Sequence, residues 1–433
     1  MGDATARPDA LLRARRAALG LDEGLTAQRK PRSKVTEQAS ATVRDRAIFA
    51  AFCVLTIAIT CLQIFAIPVG DDAYVSAVVP IMAMTLPVLF YFAPPSINPT
   101  RLLLYVLLVL CAGVSTGFFA DHYSVASVAL FAVLYLPFIF SLRTSEANYR
   151  RCLAFFCDVM MVMAGLEFVQ HAIQLIFGAQ AWPNPYKYLP AGLLTPEFTY
   201  LQPIFWGSPY NKPQAFLFLE TSLLSQYLAL ALAIEIAMFQ RVRRIALLTA
   251  ALFATFAGTG LLLLAFALPV LLGKTSGRNM LLIALVLVVI TCAAAETGWL
   301  DMVSRRLTEF EHAGQSANHR FVEPFDRMST FLPRSGSFYS GIGAGQIEKT
   351  DNHQFWPIAK ATLEYGILSG GIFLAYFLYA MFDRPASRRL AFTLVIWFTF
   401  EGALLTAFNP FTCMLLSSFF LIDRPRHNAN ATT

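Results

Sequence analysis

Long apolar runs separated by short polar breaks fill most of the chain from residue 47 onward. Each run approaches the roughly 20 residues that an α-helix needs to cross a bilayer. There are twelve such segments: 47–68, 73–93, 101–119, 123–141, 152–178, 216–239, 243–258, 259–273, 279–296, 356–381, 389–406 and 408–422. The pattern predicts an all-α, polytopic membrane domain of about twelve transmembrane helices over residues 47–422. The break at Ala257–Gly260 fits either a tight hairpin or one broken helix.

Polar tails flank this apolar region. Residues 1–46 hold ten Lys and Arg, and no apolar core followed by small residues marks a cleavable signal. We expect a disordered basic tail; a short amphipathic helix on anionic lipid around residues 11–21 is the alternative. Residues 423–433 form a second short tail.

The distribution of basic residues predicts the orientation in the membrane. With the N-terminus in the cytoplasm, 24 Lys and Arg fall on the inner side and 8 on the outer side. This is the positive-inside pattern, and it places both tails in the cytoplasm. Two long connections, 179–215 and 297–355, then become extracytoplasmic loops. Loops of that length are usually functional.

Composition narrows the classes of chemistry. The chain is 57% hydrophobic and 14% charged, so the net positive charge reflects membrane topology and does not indicate a nucleic-acid partner. The seven cysteines lie in or beside apolar runs, which favours buried thiols over disulfides. No zinc-type His or Cys spacing occurs in the sequence, so neither a metal nor another cofactor is expected.

The second outer loop carries three arginines at a spacing of seven residues: Arg320, Arg327 and Arg334. Guanidinium groups bind phosphate through planar, paired donors, so the cluster predicts a diphosphate site. If residues 318–328 are helical, the first two arginines share a face. A solvated loop whose arginines pair with Glu323 and Asp326 is the alternative.

The same loop ends in "GIGAG" (341–345) and His353. The glycines follow no strand and lack the order of a nucleotide loop. They predict a turn that feeds the next helix, or one whose amides approach an oxyanion. His353 is a candidate general base, although a single histidine is often structural.

Ionisable residues inside apolar segments are candidates for function. Glu220 lies at the outer end of its segment and is a second candidate catalytic residue. Lys360 and Glu364 are four residues apart on one predicted helix, and a pair that neutralises itself is the alternative to function for them. Asp71 and Asp72 either cap the second helix or supply an external base. The remaining candidates are Asp158, Glu167, His171, Glu235 and Glu401.

The segment "NKPQAFLFLETSLLSQYLALALAIEI" (211–236) resembles the Wzy-type polysaccharide polymerases. That family shows a basic residue, a proline and an aromatic-rich F-x-E-P-S before a long helix. Lys212-Pro213, Phe218, Glu220 and Ser222 match, while Thr221 replaces the family's proline.

Two later segments extend the resemblance to residues 210–375. "AGTGLLLLAF" (257–266) is similar to the family's SGTG helix start, and residues 341–371 are similar to its glycine-and-histidine loop end. The match departs in two places. Asn352 precedes His353 instead of following it, and "AGTG" lacks the arginine common in O-antigen ligases.

The resemblance implies a metal-independent, inverting glycosyltransferase of the GT-C type in the bacterial inner membrane. Its donor would be an oligosaccharide repeat on undecaprenyl diphosphate. Its acceptor would be a sugar hydroxyl of another lipid-linked repeat, and a chain-length regulator is a further candidate partner. His353 and Glu220 would be catalytic. Arg320, Arg327, Arg334 and Lys212 would bind the diphosphate. A glycan ligase is the near alternative, and a lipid-linked oligosaccharide flippase or transporter is the alternative from another class.

Overall fold

The computed structural model describes residues 32–69, 74–182, 184–195, 200–204, 208–273, 277–296, 318, 322–331, 337–347, 355–400 and 404–422. This part of the chain is mostly helical, as the apolar pattern predicts. The helices are α1 (Arg32–Cys61), α2 (Val78–Phe92), α3 (Pro99–Val114), α4 (Val125–Tyr135), α5 (Glu146–Phe177), α6 (Pro185–Tyr188), α7 (Thr221–Ile234), α8 (Val242–Ala254), α9 (Gly258–Leu272), α10 (Gly277–Glu296), α11 (Glu323–Phe331), α12 (Ser337–Ser340), α13 (Pro357–Phe382), α14 (Arg388–Phe400) and α15 (Phe408–Cys413).

Each of the twelve predicted apolar segments contains one of these helices. Four helical stretches are long and apolar enough to cross a membrane: Pro99–Phe119, Glu146–Phe177, Thr221–Phe239 and Pro357–Phe382. The first and third of these include the π-helical turns Ser115–Phe119 and Glu235–Phe239. The helical class is therefore confirmed, and the number of twelve spans stays a prediction.

The structure corrects one prediction, about the N-terminal tail, and decides between the two alternatives at Ala257–Gly260. Helix α1 begins at Arg32, so the last part of the predicted N-terminal tail is helical. The stretch around Ala257–Gly260 is a turn between two helices, α8 and α9, and not a bend in one helix. Phe256 makes that turn with a left-handed φ of 54°. The structure describes all seven cysteines, and none forms a disulfide.

Short strands add two small sheets to the helical fold. β1 (Ala66–Pro68) pairs antiparallel with β2 (Tyr74–Ser76). In the second sheet, β4 (Phe140–Thr144) lies between β3 (Ser96–Ile97) and β5 (Phe420–Ile422). β4 is antiparallel to β3 and parallel to β5, with Leu142 opposite Phe420. The all-α expectation is therefore corrected in this detail: the second sheet ties the C-terminal strand to the connection between α4 and α5.

Polar residues fix where several helices begin and end. Asn98 caps α3 by accepting hydrogen bonds from the amides of Thr100 (2.9 Å) and Arg101 (3.2 Å), and Pro99 occupies the first helical position. Ser145 caps α5 in the same way. Gly178 ends α5 with a φ of 86°, a value that glycine tolerates well.

Helix α7 lies at the centre of the molecule. Every residue from Thr221 to Ile234 is buried except Ser222, as expected for a helix that is apolar all round. It packs against α5, α8, α9 and α14. The site described below is built where α7 begins.

The opposite end of the bundle is held by a buried arginine. The Arg101 guanidinium donates to the carbonyls of Phe138 (3.2 Å), Ser418 (3.1 Å) and Asp383 (3.1 Å). It also lies 3.3 Å from the Asp383 carboxylate. One side chain thus joins α3, the end of α13 and the segment before β5, because a guanidinium carries five donors in a fixed plane.

Candidate functional site

Half of the sequence-predicted site residues can be placed. Glu220, Lys212 and Arg327 are described by the structure, whereas Arg320, Arg334 and His353 lie outside the described residues, as do Asp71 and Asp72. Lys212 and Glu220 lie on one ordered segment before α7. Arg327 lies on a different element, α11.

Two glutamines of α5 clamp the segment that contains Lys212. Gln174 and Asn211 exchange hydrogen bonds, from Nε2 to the Asn211 carbonyl (3.2 Å) and from the Asn211 amide to Oε1 (2.8 Å). Gln170 accepts from the Gln214 amide (3.1 Å) and donates to the Gln214 side chain (2.9 Å). Lys212 lies between the two clamped positions and is 6% exposed, so its backbone position is fixed while its side chain is withdrawn from bulk water.

A strained turn follows the clamp. Ala215 and Phe216 have consecutive left-handed φ values of 50° and 66°, which is uncommon for residues with a Cβ. The Tyr200 hydroxyl donates to the Phe216 carbonyl at 3.0 Å and stabilises the turn. Strained backbone of this kind persists where surrounding contacts over-determine it, and it is concentrated at functional sites.

Tyr200, which bonds to this turn, packs against a second tyrosine of the connection 179–215, Tyr186. The rings of Tyr186 and Tyr200 lie 5.6 Å apart, and burial raises the pKa of each hydroxyl to about 12. Both phenols therefore stay protonated near neutral pH and act as donors. Tyr186 donates to the Thr195 carbonyl at 3.1 Å, so aromatic residues of this loop serve as internal supports.

Glu220 is the residue immediately before α7. It is half-buried and extended (φ −151°, ψ 162°), and its carbonyl accepts the Leu224 amide of the first helical turn. A carboxylate here lies at the positive end of the helix dipole.

A second helix start lies beside the first. At the beginning of α9, the Gly260 amide donates to Ser225 Oγ (3.2 Å), and Thr259 Oγ1 lies 3.1 Å from the same hydroxyl. A Cβ on Gly260 would come within 2.3 Å of the Ser225 carbonyl, so only glycine allows this approach. The "GTG" motif therefore places the start of α9 against the first two turns of α7.

Arg327 has an acidic partner on its own helix. Its guanidinium lies 3.7 Å from Glu323 Oε1 one turn earlier and 5.8 Å from the centre of the Phe331 ring. This is the pairing expected of a solvated charged segment. Helix α11 packs on α13, with Phe325 against Trp356, so Arg327 lies near the outer end of α13.

The glycines of "GIGAG" allow close backbone packing. Gly341, Gly343 and Gly345 have φ values of 66°, 101° and 68°. A Cβ on Gly341 would meet the Leu363 carbonyl at 2.4 Å, and one on Gly343 would clash with the His122 carbonyl. The glycines therefore let this loop lie directly against α13 and the start of α4.

The loop caps a broken helix. Gly366 has non-helical angles (φ 82°, ψ 166°) and divides α13 into two parts. The carbonyls left open by the break are satisfied from outside the helix: Leu363 by the Ile342 amide (2.8 Å), Glu364 by the Gly343 amide (3.1 Å), and Tyr365 by the Ser115 hydroxyl (2.8 Å). Backbone groups in a membrane protein need such partners wherever a helix is interrupted.

The bend at Gly366 is sharp. A Cβ on Gly370 would lie 2.8 Å from Thr362 Cα, yet residues eight apart in a straight helix are separated by about 12 Å. The two parts of α13 therefore fold towards each other. Discontinuous helices of this kind form substrate sites in other membrane proteins.

Backbone amides of this loop approach an oxyanion, as one of the two predictions for the glycines expected. The oxyanion is the carboxylate of Glu364, a residue of this chain. The Glu364 carboxylate accepts hydrogen bonds from the amides of Gly345, Gln346 and Ile347, the last at 3.3 Å. Lys360 Nζ lies 4.0 Å from Glu364 Oε1, and both side chains are buried. The neutralising pair predicted from the sequence is confirmed. The glycine turn thus holds the carboxylate of Glu364 in place, and we call this arrangement the glycine mount.

Sequence reasoning missed the clamp, although a signal was present. Glu167, Gln170, His171 and Gln174 stand at positions i, i+3, i+4 and i+7 of an apolar helix, which is one helical face. Of these four, only the ionisable residues Glu167 and His171 are candidates on the sequence alone. The fully buried Glu167 carboxylate has no hydrogen-bond partner among the described residues. Within those residues, no group of three His, Cys, Asp or Glu could hold a metal ion.

One of three comparisons with known proteins found a match. The model of the WcaD colanic acid polymerase family matches residues 51–376. The chain belongs to the WcaD colanic acid polymerase family. The match includes the last part of α1, all of α2 to α12, most of α13 and the clamped segment. It is consistent with the Wzy-type resemblance and supports polysaccharide polymerisation in a membrane protein. No curated protein and no solved structure matches the chain.

Proposed function

We propose that this chain is a glycosyltransferase that polymerises oligosaccharide repeat units carried on undecaprenyl diphosphate. The reaction takes place at the outer face of the bacterial inner membrane, and both termini lie in the cytoplasm. The family match over residues 51–376 is the observation that carries the proposal. The ordered segment from Lys212 to Glu220 supports it, because the charge distribution puts that segment on the outer side.

The chemistry requires no cofactor. The acceptor hydroxyl oxygen attacks the anomeric carbon of the donor, the bond from that carbon to the diphosphate oxygen breaks, and the configuration inverts. The hydroxyl proton passes to a base, and the diphosphate departs on its lipid. Cationic side chains stabilise the departing diphosphate, and positioning supplies much of the remaining rate.

The residues divide between these tasks. Lys212 is buried, and the clamp fixes the backbone on either side of it. Together with Arg320, Arg327 and Arg334, it binds the diphosphate. Lys212 supplies a compact charge, and the arginines supply paired donors. Glu220 and His353 are the candidate bases. Glu220 lies directly before α7, and the loop that leads to His353 begins at the glycine mount on α13.

Reconstitution with purified lipid-linked repeat units tests the proposal. Long polymer on lipid diphosphate is the expected product. Transfer of the glycan to a different acceptor lipid would make the chain a ligase, and movement of the repeat unit across the bilayer without bond formation would make it a flippase. Either outcome contradicts the proposal. Adding a co-expressed chain-length regulator to the same assay tests whether that partner changes the product length.

A further inference from the structure

A cavity of about 280 Å³ lies at the outer end of α5, between that helix, the end of α8 and the first outer loop. We call it the α5–α8 cavity. Its walls include His171, Gln174, Leu175, Tyr210, Ala254 and Phe256. It shares Gln174 with the clamp that holds the Lys212 segment, so it lies directly beside the candidate site.

The walls present mainly hydrocarbon and aromatic surface. Gln174 uses both ends of its side-chain amide on Asn211, and His171 donates from Nε2 to the Ala254 carbonyl at 2.8 Å. The His171 ring also meets Phe256 edge-on at 5.8 Å. A cavity of this composition favours an apolar occupant over water.

The position of Phe256 in the wall has an energetic cost. Its left-handed φ of 54° is a sparsely populated conformation for a residue with a Cβ. The Thr255 side chain stabilises the turn by accepting the Ala257 amide at 3.2 Å. A strained turn kept in this way indicates that the wall has a defined shape.

The rim of the cavity opens on an apolar exterior. Leu175 is 68% exposed, and the two residues that follow it, Ile176 and Phe177, are more than 70% exposed. These residues end one of the helices long enough to span a membrane. Exposed apolar surface at that position contacts lipid chains, so an occupant can enter from the bilayer.

A cation lies next to the cavity along the chain. Tyr210 is in the wall, Asn211 is bonded to Gln174, and the buried Lys212 follows directly. An apolar cavity open to lipid, followed by a buried ammonium group, matches an amphiphile with an aliphatic chain and an anionic head.

We propose that the α5–α8 cavity binds the head-proximal part of the polyprenyl chain of the donor lipid and so brings its diphosphate to Lys212. The inference rests on the proposed function, because that function supplies the carrier lipid as the occupant. It adds to that function the location of the polyprenyl chain, the side from which that chain enters, and the residues that select it.

Filling the cavity tests the proposal. Binding of undecaprenyl diphosphate without any glycan is measured on the full-length protein in detergent by native mass spectrometry. We expect Ala254→Phe to weaken binding about tenfold, which corresponds to about 1.4 kcal/mol. Ala126→Phe is the matched control, because Ala126 is an exposed position on α4; its affinity should equal that of the wild type.

A second variant keeps the test valid if Ala254→Phe does not fold. Leu175→Ser changes an exposed rim residue and should weaken binding several-fold without lowering the melting temperature. Unchanged affinity in a folded Ala254→Phe protein overturns the proposal. An equal loss with phosphatidylglycerol also overturns it, because the cavity would then hold an ordinary acyl chain.

The assay separates this inference from the proposed function. If the filled variant loses lipid binding while the wild type makes no polymer, the cavity assignment stands and the polymerase proposal fails. If the wild type makes polymer and the filled variant binds lipid normally, the polymerase proposal stands and the cavity assignment fails.

Discussion

At the scale of single residues, the site depends on charged groups whose positions are fixed by neutral ones. The residues on either side of Lys212, Asn211 and Gln214, are held by two glutamine amides, and Glu220 is held at a helix start. Glutamine suits the first task because its amide satisfies a donor and an acceptor of the backbone at once. It also adds no charge beside Lys212, the cation that we propose binds the substrate.

Loss of Lys212 should impair the reaction more than the fold. We expect Lys212→Ala to lower polymer formation by about 10²-fold, because removal of one preorganised charge-stabilising group typically costs about 3 kcal/mol. Lys187→Ala is the control, since Lys187 is an exposed lysine of the same outer loop. The rate of polymer formation in proteoliposomes is the measurement. Equal activity of the two variants would remove Lys212 from the proposed site.

The two candidate bases can be distinguished by their effects on turnover. If His353 is the base, His353→Ala should lower kcat by about 10²-fold or more with little change in donor binding, and Glu220→Gln should have a smaller effect. The reverse ranking assigns the base to Glu220. Single-turnover rates with a saturating lipid-linked donor measure the step directly. Wild-type rates in both variants would contradict both assignments.

Lys360 and Glu364 should be coupled in stability. Removing one partner leaves a buried charge uncompensated, so Glu364→Leu should destabilise the protein by about 3–5 kcal/mol. The double variant Lys360→Met with Glu364→Leu should recover part of that loss. Thermal unfolding in detergent measures the cycle. Additive effects would mean that the pair does not interact, despite its 4.0 Å separation.

At the scale of elements, two irregular stretches of backbone shape the site: the break inside α13 and the turn before α7. The break in α13 at Gly366 creates open carbonyls that the glycine loop satisfies. The turn at Ala215 and Phe216 brings the clamped segment to the start of α7. A contact from elsewhere in the chain stabilises each place: the amides of the glycine loop bond the open carbonyls of α13, and the Tyr200 hydroxyl bonds the Phe216 carbonyl.

Gly366→Ala should therefore disrupt the element it divides. Its φ of 82° disfavours a side chain, and a Cβ would clash with the Tyr339 carbonyl. We expect a loss of several kcal/mol in stability, since strain and overpacking add. Gly371→Ala is the control on the same helix, because nothing lies within 4 Å of its Cβ position. Helix propensity should make that variant neutral or stabilising. Similar melting temperatures for both variants would contradict the bend.

At the scale of the whole molecule, membrane orientation decides which elements share a compartment. The charge distribution predicts that the clamp, the start of α7 and the glycine mount on α13 all face the side that is poor in basic residues. The Arg101 network and the Arg241–Glu235 pair (2.5 Å) lie at the opposite end. A lipid-linked substrate exported from the cytoplasm would meet the first end.

Labelling from outside tests that orientation. We expect Lys187→Cys to react with a membrane-impermeant maleimide in intact spheroplasts. Arg243→Cys, at an exposed position on the predicted inner side, should react only after permeabilisation. Mass spectrometry of the labelled peptide separates the signal from the native cysteines. The opposite pattern would invert the proposed topology.

Local sequence patterns predicted a large part of the fold and indicated the family. The apolar runs located every helix they were expected to contain, and the motifs around Lys212, Glu220 and the "GTG" start indicated the family. The roles of the "GIGAG" glycines and of the α5 glutamines did not follow from the sequence. Both depend on partners more than 15 residues away, such as Gly343 on Glu364 and Gln174 on Asn211, and local spacing does not specify such pairs.

The sequence by itself determined the helical class, the membrane environment, the family and the pairing of Lys360 with Glu364. These follow from periodicity, hydropathy and short-range geometry, which act within one or two helical turns. Only the tertiary structure decided that α13 is broken, that its open carbonyls are capped by a distant loop, and that an apolar cavity lies beside Lys212. Each of these results depends on how separate elements pack, because the hydrogen bonds and surfaces concerned are completed by residues far apart in the chain.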